Sequence, residues 1–315
     1  MRHPIRHRGY TLLLTLLLLS VMAASVAALA RASLEAALEA RDEEDELRRR
    51  WAVLSAQQVL AELGPRVLAR QFAEHVASQD PNQANASFYA APPSMLRETL
   101  TLGGLVIEIV FADEQARFNV NRTLVDAHGD AQTAQRRLSD GLERHLPNLL
   151  DRRTIALRPL DEDLAYSLDL PRLPSPGSVF ELTGPDRASA FASGTEADAG
   201  WHGHLTVWGD GKLRLGLAGE PALRLLCEPM LEPDEIESLL AYRREAPAIT
   251  VSDLLRWLPL RAAQRAWLRQ RLTDTSSTFS LHMTIRDGPR RWNRLAIIEM
   301  DGTAPTVRCA MEWRP

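Results

Sequence analysis

From Tyr10 to Ala30 the chain reads YTLLLTLLLLSVMAASVAALA, 21 residues without a charge. At about 1.5 Å of rise per residue such a helix spans roughly 30 Å, the thickness of a bilayer core. The pattern then changes without a break. Residues 31–63 hold no Pro or Gly. Five acids, Asp42 to Glu46, precede Leu47 and the basic run Arg48 to Arg50. The pairs Glu44–Arg48, Asp45–Arg49 and Glu46–Arg50 stand at i,i+4 with the acid first, the favourable helical order. Leu47, Trp51 and Leu54 add an apolar stripe at helical spacing. One helix from Tyr10 to about Leu63 follows, roughly 80 Å long at that rise. Gly64-Pro65 marks its end, and Val67 to Ser78 read as a further helical piece.

The remainder alternates between sheet and helix patterns. Thr99 to Val110, TLTLGGLVIEIV, is β-branched and predicts a hairpin or bulged strand around Gly103-Gly104. Residues 80–93 and 170–203 are loop-like, rich in Pro, Asn, Ser and Gly. Asp126 to Leu170 carry a helical pattern, with Leu138, Leu142, Leu146, Leu149 and Leu150 nearly in phase. His204 to Leu215 predict a strand, an Asp210-Gly211 turn and a second strand. Helices are expected at 220–230, 233–244, 251–258 and 261–272, with start signals at Glu232-Pro233 and at Thr250 with Asp253. Ser277 to Asp287 alternate apolar and polar residues. With 292–300 and 306–313 they form a meander turning at Asp287-Gly288 and Asp301-Gly302. The class is α+β.

Composition narrows the function. The chain has 315 residues, 45% hydrophobic and 25% charged, ample for a core and unlike a disordered chain. A net charge of −4 argues against a dedicated nucleic-acid binder. No nucleophile elbow, phosphate loop, H-E-x-x-H or C-x-x-C occurs, so the chain is not expected to be an enzyme. His202 and His204 could share one strand face, but a zinc site needs more ligands. Asp161 to Asp163 form an acidic loop, a solvated face or a calcium contact. Cys227 and Cys309 could form one disulfide in an oxidising compartment; two buried thiols are the alternative.

The amino terminus admits three fates. The first is signal-peptide cleavage after Ala28-Leu29-Ala30, although the apolar run exceeds the ~7–15 residues of a signal core. The second is retention as an uncleaved anchor. The third is cleavage between Gly9 and Tyr10. The basic MRHPIRHRG stretch, ending in Gly before an aromatic residue and a long apolar run, resembles a type IV prepilin leader. Basic residues Arg2, Arg6 and Arg8 before the span favour a cytoplasmic amino terminus.

Phe111 to Asn121, FADEQARFNVN, resembles the D-E-x-x-R-x-N-x-N segment of the general secretion pathway protein K family. These are the minor pseudopilins of type II secretion. The matching residues are Asp113, Glu114, Arg117, Asn119 and Asn121, read as structural: Arg117, Asn119 and Asn121 would satisfy turn and backbone groups. Pilins carry Glu at the fifth mature position; here that position is Leu14, and family K characteristically lacks the acid. The chain departs from the family at Arg214 and Gly216, where two asparagines are usual, and it lacks the usual acidic, tyrosine-containing insertion.

The resemblance implies a long transmembrane and amphipathic helix. It also implies a pseudopilin-like antiparallel sheet interrupted by a SAM-like helical insertion. It places a leader at 1–9 and the helix at 10–63, with 10–30 in the inner membrane. The head would begin at 64–122, with a variable region at 123–200, a helical module at 201–275 and a closing meander at 276–315. Prepilin peptidase would cut at Gly9–Tyr10, with N-methylation of Tyr10, and the bulk of the chain would be periplasmic. Implied partners are the minor pseudopilins I and J, with H a further candidate, the major pseudopilin G and the secretion platform. Nucleic acid is not among them: Leu231 to Asp234, at the hairpin of the helical module, hold no glycine and two acids that repel phosphate. No cofactor is implied beyond calcium. The competing function is an exported binding module with a helix-hairpin-helix-like region, cut after Ala30.

Overall fold

The computed structural model describes residues 8–78, 94–126, 131–146, 204–206, 208–302 and 304–313. The chain divides into two compact units, Met1–Leu54 and Ser55–Pro315.

Helix α1 (Arg8–Ser78) is continuous and contains Pro65. The helix therefore does not end at Gly64-Pro65. Proline removes one backbone hydrogen bond and crowds the preceding turn, which ordinarily ends or kinks a helix. Here packing holds that turn. A Cβ on Gly64 would lie 2.6 Å from Cζ of Phe111, so glycine lets the helix approach the sheet closely. Among the charge pairs, Arg48 meets Glu44 at 3.0 Å and Arg50 meets Glu46 at 2.8 Å. Arg49 turns to Glu46 at 2.7 Å instead of to Asp45.

Strands β1 (Met95–Leu102) and β2 (Leu105–Asp113) form the expected hairpin. Its turn needs left-handed backbone at both central residues, and Gly103 and Gly104 supply it with φ of 58° and 84°. A one-turn 3-10 helix (Glu114–Ala116), β3 (Phe118–Asn119), α2 (Val120–Asp126) and α3 (Ala131–His145) follow. Then come β4 (Leu205–Thr206), β5 (Leu213–Arg214), α4 (Glu220–Cys227), α5 (Pro233–Glu245), α6 (Val251–Trp257) and α7 (Ala262–Arg271). The last elements are β6 (Leu272–Thr273), β7 (Thr278–Asp287), β8 (Arg290–Asp301) and β9 (Ala304–Trp313). The helix starts use the expected residues. Thr250 Oγ1 accepts from the Asp253 amide at 3.1 Å, and Glu235 closes a capping box on Glu232.

Five strands form one antiparallel sheet in the order β1-β2-β7-β8-β9. The β2–β7 pairing, with Ile109 opposite Met283, joins two segments separated by the whole helical insertion. The region at 204–215 differs from expectation. β4 pairs in parallel with β3, and β5 in parallel with β6, so the Asp210-Gly211 turn does not close a hairpin. Each strand is two residues long, too short for hairpin pairing to outweigh its other neighbours.

The sheet has two covered faces. Ile107, Ile109, Phe111, Leu281, Met283 and Ile285 are fully buried on the face met by α1, where Phe111 stacks on Phe279 at 5.4 Å. Gln57 of α1 accepts from Arg294 at 2.9 Å on that face. On the other face Leu295 and Ile297 join the core of the helical module, which also includes Leu138 and Leu142 of α3. The helices of the 123–146 region and the module thus share one core.

Candidate functional site

Two places stand out chemically: the apolar stretch of α1 and a buried polar junction at the end of β2. In the first, no described residue from Tyr10 to Glu44 is buried. Tyr10 is 73% exposed and Leu14, the fifth residue after Gly9, 47%. Gly9 lies within the helix. The window is long and apolar enough to cross a membrane by length and composition.

The second place brings the D-E-x-x-R-x-N residues together. Asp113 ends β2 and caps the 3-10 turn, its Oδ1 accepting from the Gln115 amide at 2.9 Å. Its Oδ2 accepts from Ser276 Oγ and from Arg214 at 3.2 Å. Burial pushes the Asp113 carboxyl above the usual carboxylate range, against the pull of Ser276 and Arg214. Glu114 accepts from Arg117 at 2.9 Å, from Ser280 Oγ, and from Thr206 Oγ1 in a very short contact. Gln115 donates to Asp210 Oδ1 at 2.9 Å and accepts from the Ser277 amide at 2.6 Å. Asn119 donates to the Trp208 carbonyl at 2.8 Å. The Asn121 side chain lies outside the described residues.

This arrangement ties β2, β4, β5 and β7 at one point. Every carboxylate oxygen of Asp113 and Glu114 there accepts from a donor of the chain itself. The junction's remote partners are Thr206, Arg214, Ser276 and Ser280. No local pattern names them; the hydroxyl-rich Ser276-Ser277-Thr278 run ahead of β7 was the available signal.

The other candidates are dispersed. Cys227 is a free thiol, fully buried, and desolvation pushes its pKa up to about 12. The disulfide with Cys309 is therefore not formed in this structure, because Cys227 packs into the apolar core of the module. The Cys309 side chain, His202 and Asp161 to Asp163 lie outside the described residues. Burial, with Arg117 nearby, lowers the His204 pKa. Among the described residues no group of three or more metal-ligating side chains occurs.

Among solved structures, the chain is similar to the GspK–GspI–GspJ complex of the enterotoxigenic Escherichia coli type 2 secretion system. The match covers 88% of this chain and 100% of the matched chain, at 14% identity and a TM-score of 0.44. No protein-family model and no curated protein matches.

The two places act differently. The junction completes the head without help from outside. The apolar helix leaves Leu12, Leu13, Leu16, Leu17 and Leu19 each more than half exposed, so its burial depends on something other than this chain.

Proposed function

We propose that the chain is a minor pseudopilin of type II secretion, of the protein K class, acting as a structural subunit and not as an enzyme. One observation carries the reading. Residues 95–113 and 278–313 form a single sheet around a helical insertion, and that sheet packs on the second half of a helix whose first half is apolar and bare. The D-E-x-x-R-x-N segment supports it by position: its acids hold the insertion to the sheet at the chain crossing between them.

On this reading Tyr10 to Ala30 hold the protein in the inner membrane with a cytoplasmic amino terminus, and the head lies in the periplasm. Prepilin peptidase cuts between Gly9 and Tyr10 and the new amino terminus is methylated. Leu14 replaces the filament carboxylate. A subunit with that acid must neutralise a neighbour's amino terminus, since an unpaired buried charge costs several kcal/mol. A subunit at the tip has no neighbour ahead and needs no acid. Its partners are then the minor pseudopilins I and J, with H a further candidate, and below them the major pseudopilin G on the secretion platform. The continuity of α1 through Ala28-Leu29-Ala30 supports an anchor over a signal peptide cut there.

The test is complementation of a secretion-deficient strain lacking its own protein K, with pull-down of I and J. The full chain should restore secretion and capture both, and Leu17→Arg should do neither. Restored secretion by a soluble chain beginning at Arg31 would overturn the reading.

A further inference from the structure

The sheet ends on two strands of different character. β9 carries devices that keep an edge from pairing: a register break against β8 at Ile297/Ile298, then Pro305 and Arg308 in the strand itself. β1 holds no Pro, Gly or Lys, and its register with β2 is unbroken from Met95–Ala112 to Leu102–Leu105. Residues 97–102 are exposed, and among the described residues no strand pairs with the outer side of β1.

The hairpin fixes where the backbone groups of β1 point. Leu102 and Leu105 close its two-residue turn, and the Ser94 carbonyl accepts from the Asp113 amide at 2.9 Å. The even-numbered residues therefore bond β2. By alternation, Met95, Arg97, Thr99 and Thr101 turn their amides and carbonyls to the open edge. A bare row of this kind is a template for another strand.

The residues of the row suit a second copy of itself. Two β1 strands can run antiparallel about a twofold axis at Thr99. Thr99 then faces Thr99, Arg97 faces Thr101, Glu98 faces Leu100 and Leu96 faces Leu102. No like charges oppose each other over residues 96–102. A centre at residue 97 or 98 would set Arg97 against Arg97 or Glu98 against Glu98. A centre nearer the Gly103-Gly104 turn would shorten the ladder. Pairing about a twofold also closes after two copies, leaving only the blunted β9 edges outermost.

We propose that β1 is a self-association edge: a second copy of the chain adds its own β1 antiparallel, centred on Thr99, and joins the two five-stranded sheets into one. The inference does not depend on the secretion reading, which can stand if it fails.

The test is sedimentation of the full chain in non-ionic detergent over a range of concentrations. A monomer–dimer equilibrium is expected. Thr99→Pro removes one outward amide from each copy and none from the β1–β2 ladder. It should weaken dimerisation about thirtyfold, the value of two hydrogen bonds. Thr99→Lys and Thr99→Glu each set like charges opposite each other and should weaken it about fivefold. Mixed together, those two should pair at least as well as the parent chain. They keep the test decisive if Thr99→Pro fails to fold. A monomer at every concentration overturns the proposal, whether or not the edge takes up a strand of another protein. So do open-ended oligomers in place of a dimer, and a mixture of the two charged variants that pairs no better than either alone. A dimer that Thr99→Pro leaves intact would overturn it by placing the contact in the apolar helix.

Discussion

The apolar half of α1 and the junction at the end of β2 depart from the usual inside–outside rule in opposite directions. Leu12 to Leu29 are uncharged, mostly apolar and exposed; Asp113, Glu114 and Gln115 are polar and at most 3% exposed. The junction is self-contained: Arg214, Ser276, Thr206, Ser280 and Arg117 meet its carboxylates within the fold. The helix is not, and nothing in residues 10–44 supplies the surface it would bury against. A buried polar cluster with every acceptor filled thus explains the head. The bare apolar helix is long and apolar enough to cross a membrane by length and composition.

The largest expected effect comes from opening the junction. Glu114→Ala leaves Arg117, 13% exposed, without its carboxylate. Loss of about 3–5 kcal/mol in urea unfolding of the full chain is expected. A loss below about 1 kcal/mol would show the junction to be dispensable.

Acid gives the next largest effect. His282 has its pKa lowered to about 4 from 6.5 by burial and by Arg291, so it is neutral in the folded head. Its contribution is intact above pH 6.5 and is lost as pH falls toward 4, by about 3 kcal/mol in all. Asp113, whose carboxyl burial pushes up, acts the other way and favours the fold as pH falls. Unfolding at several pH values should therefore be flatter between 6.5 and 4 in His282→Gln than in the parent chain.

Gly64→Ala probes where the helix stops being bare. The new methyl would meet the Phe111 ring at 2.6 Å, and a loss of about 1–3 kcal/mol is expected, recovered in part by Phe111→Leu. An equal loss in both backgrounds would break the contact argument. The smallest effect should come from Leu17→Arg on head stability, within about 0.5 kcal/mol. The same change should cost about 2.5–3.5 kcal/mol in membrane insertion, read as release from the membrane fraction.

Much of this was legible in the chain. The uncharged run, the acid-first pairs, the Gly103-Gly104 turn and the meander turns at Gly288 and Gly302 are local signals, read from neighbours in sequence. The junction was legible on one side only: Asp113, Glu114, Arg117 and Asn119 stood out, while Arg214 and Ser276 lie 101 and 163 residues from Asp113. The helix through Pro65 was misread because local rules price the lost hydrogen bond and not the packing of Gly64 on Phe111. The short parallel strands were misread for the same reason, since two residues carry no periodicity.

The most direct measurement is mass spectrometry of the mature amino terminus, with a prepilin peptidase co-expressed and then omitted. The account predicts an N-methylated chain beginning at Tyr10 only when the peptidase is present. A chain beginning at Arg31 in both conditions, or an intact Met1 despite the peptidase, would contradict it.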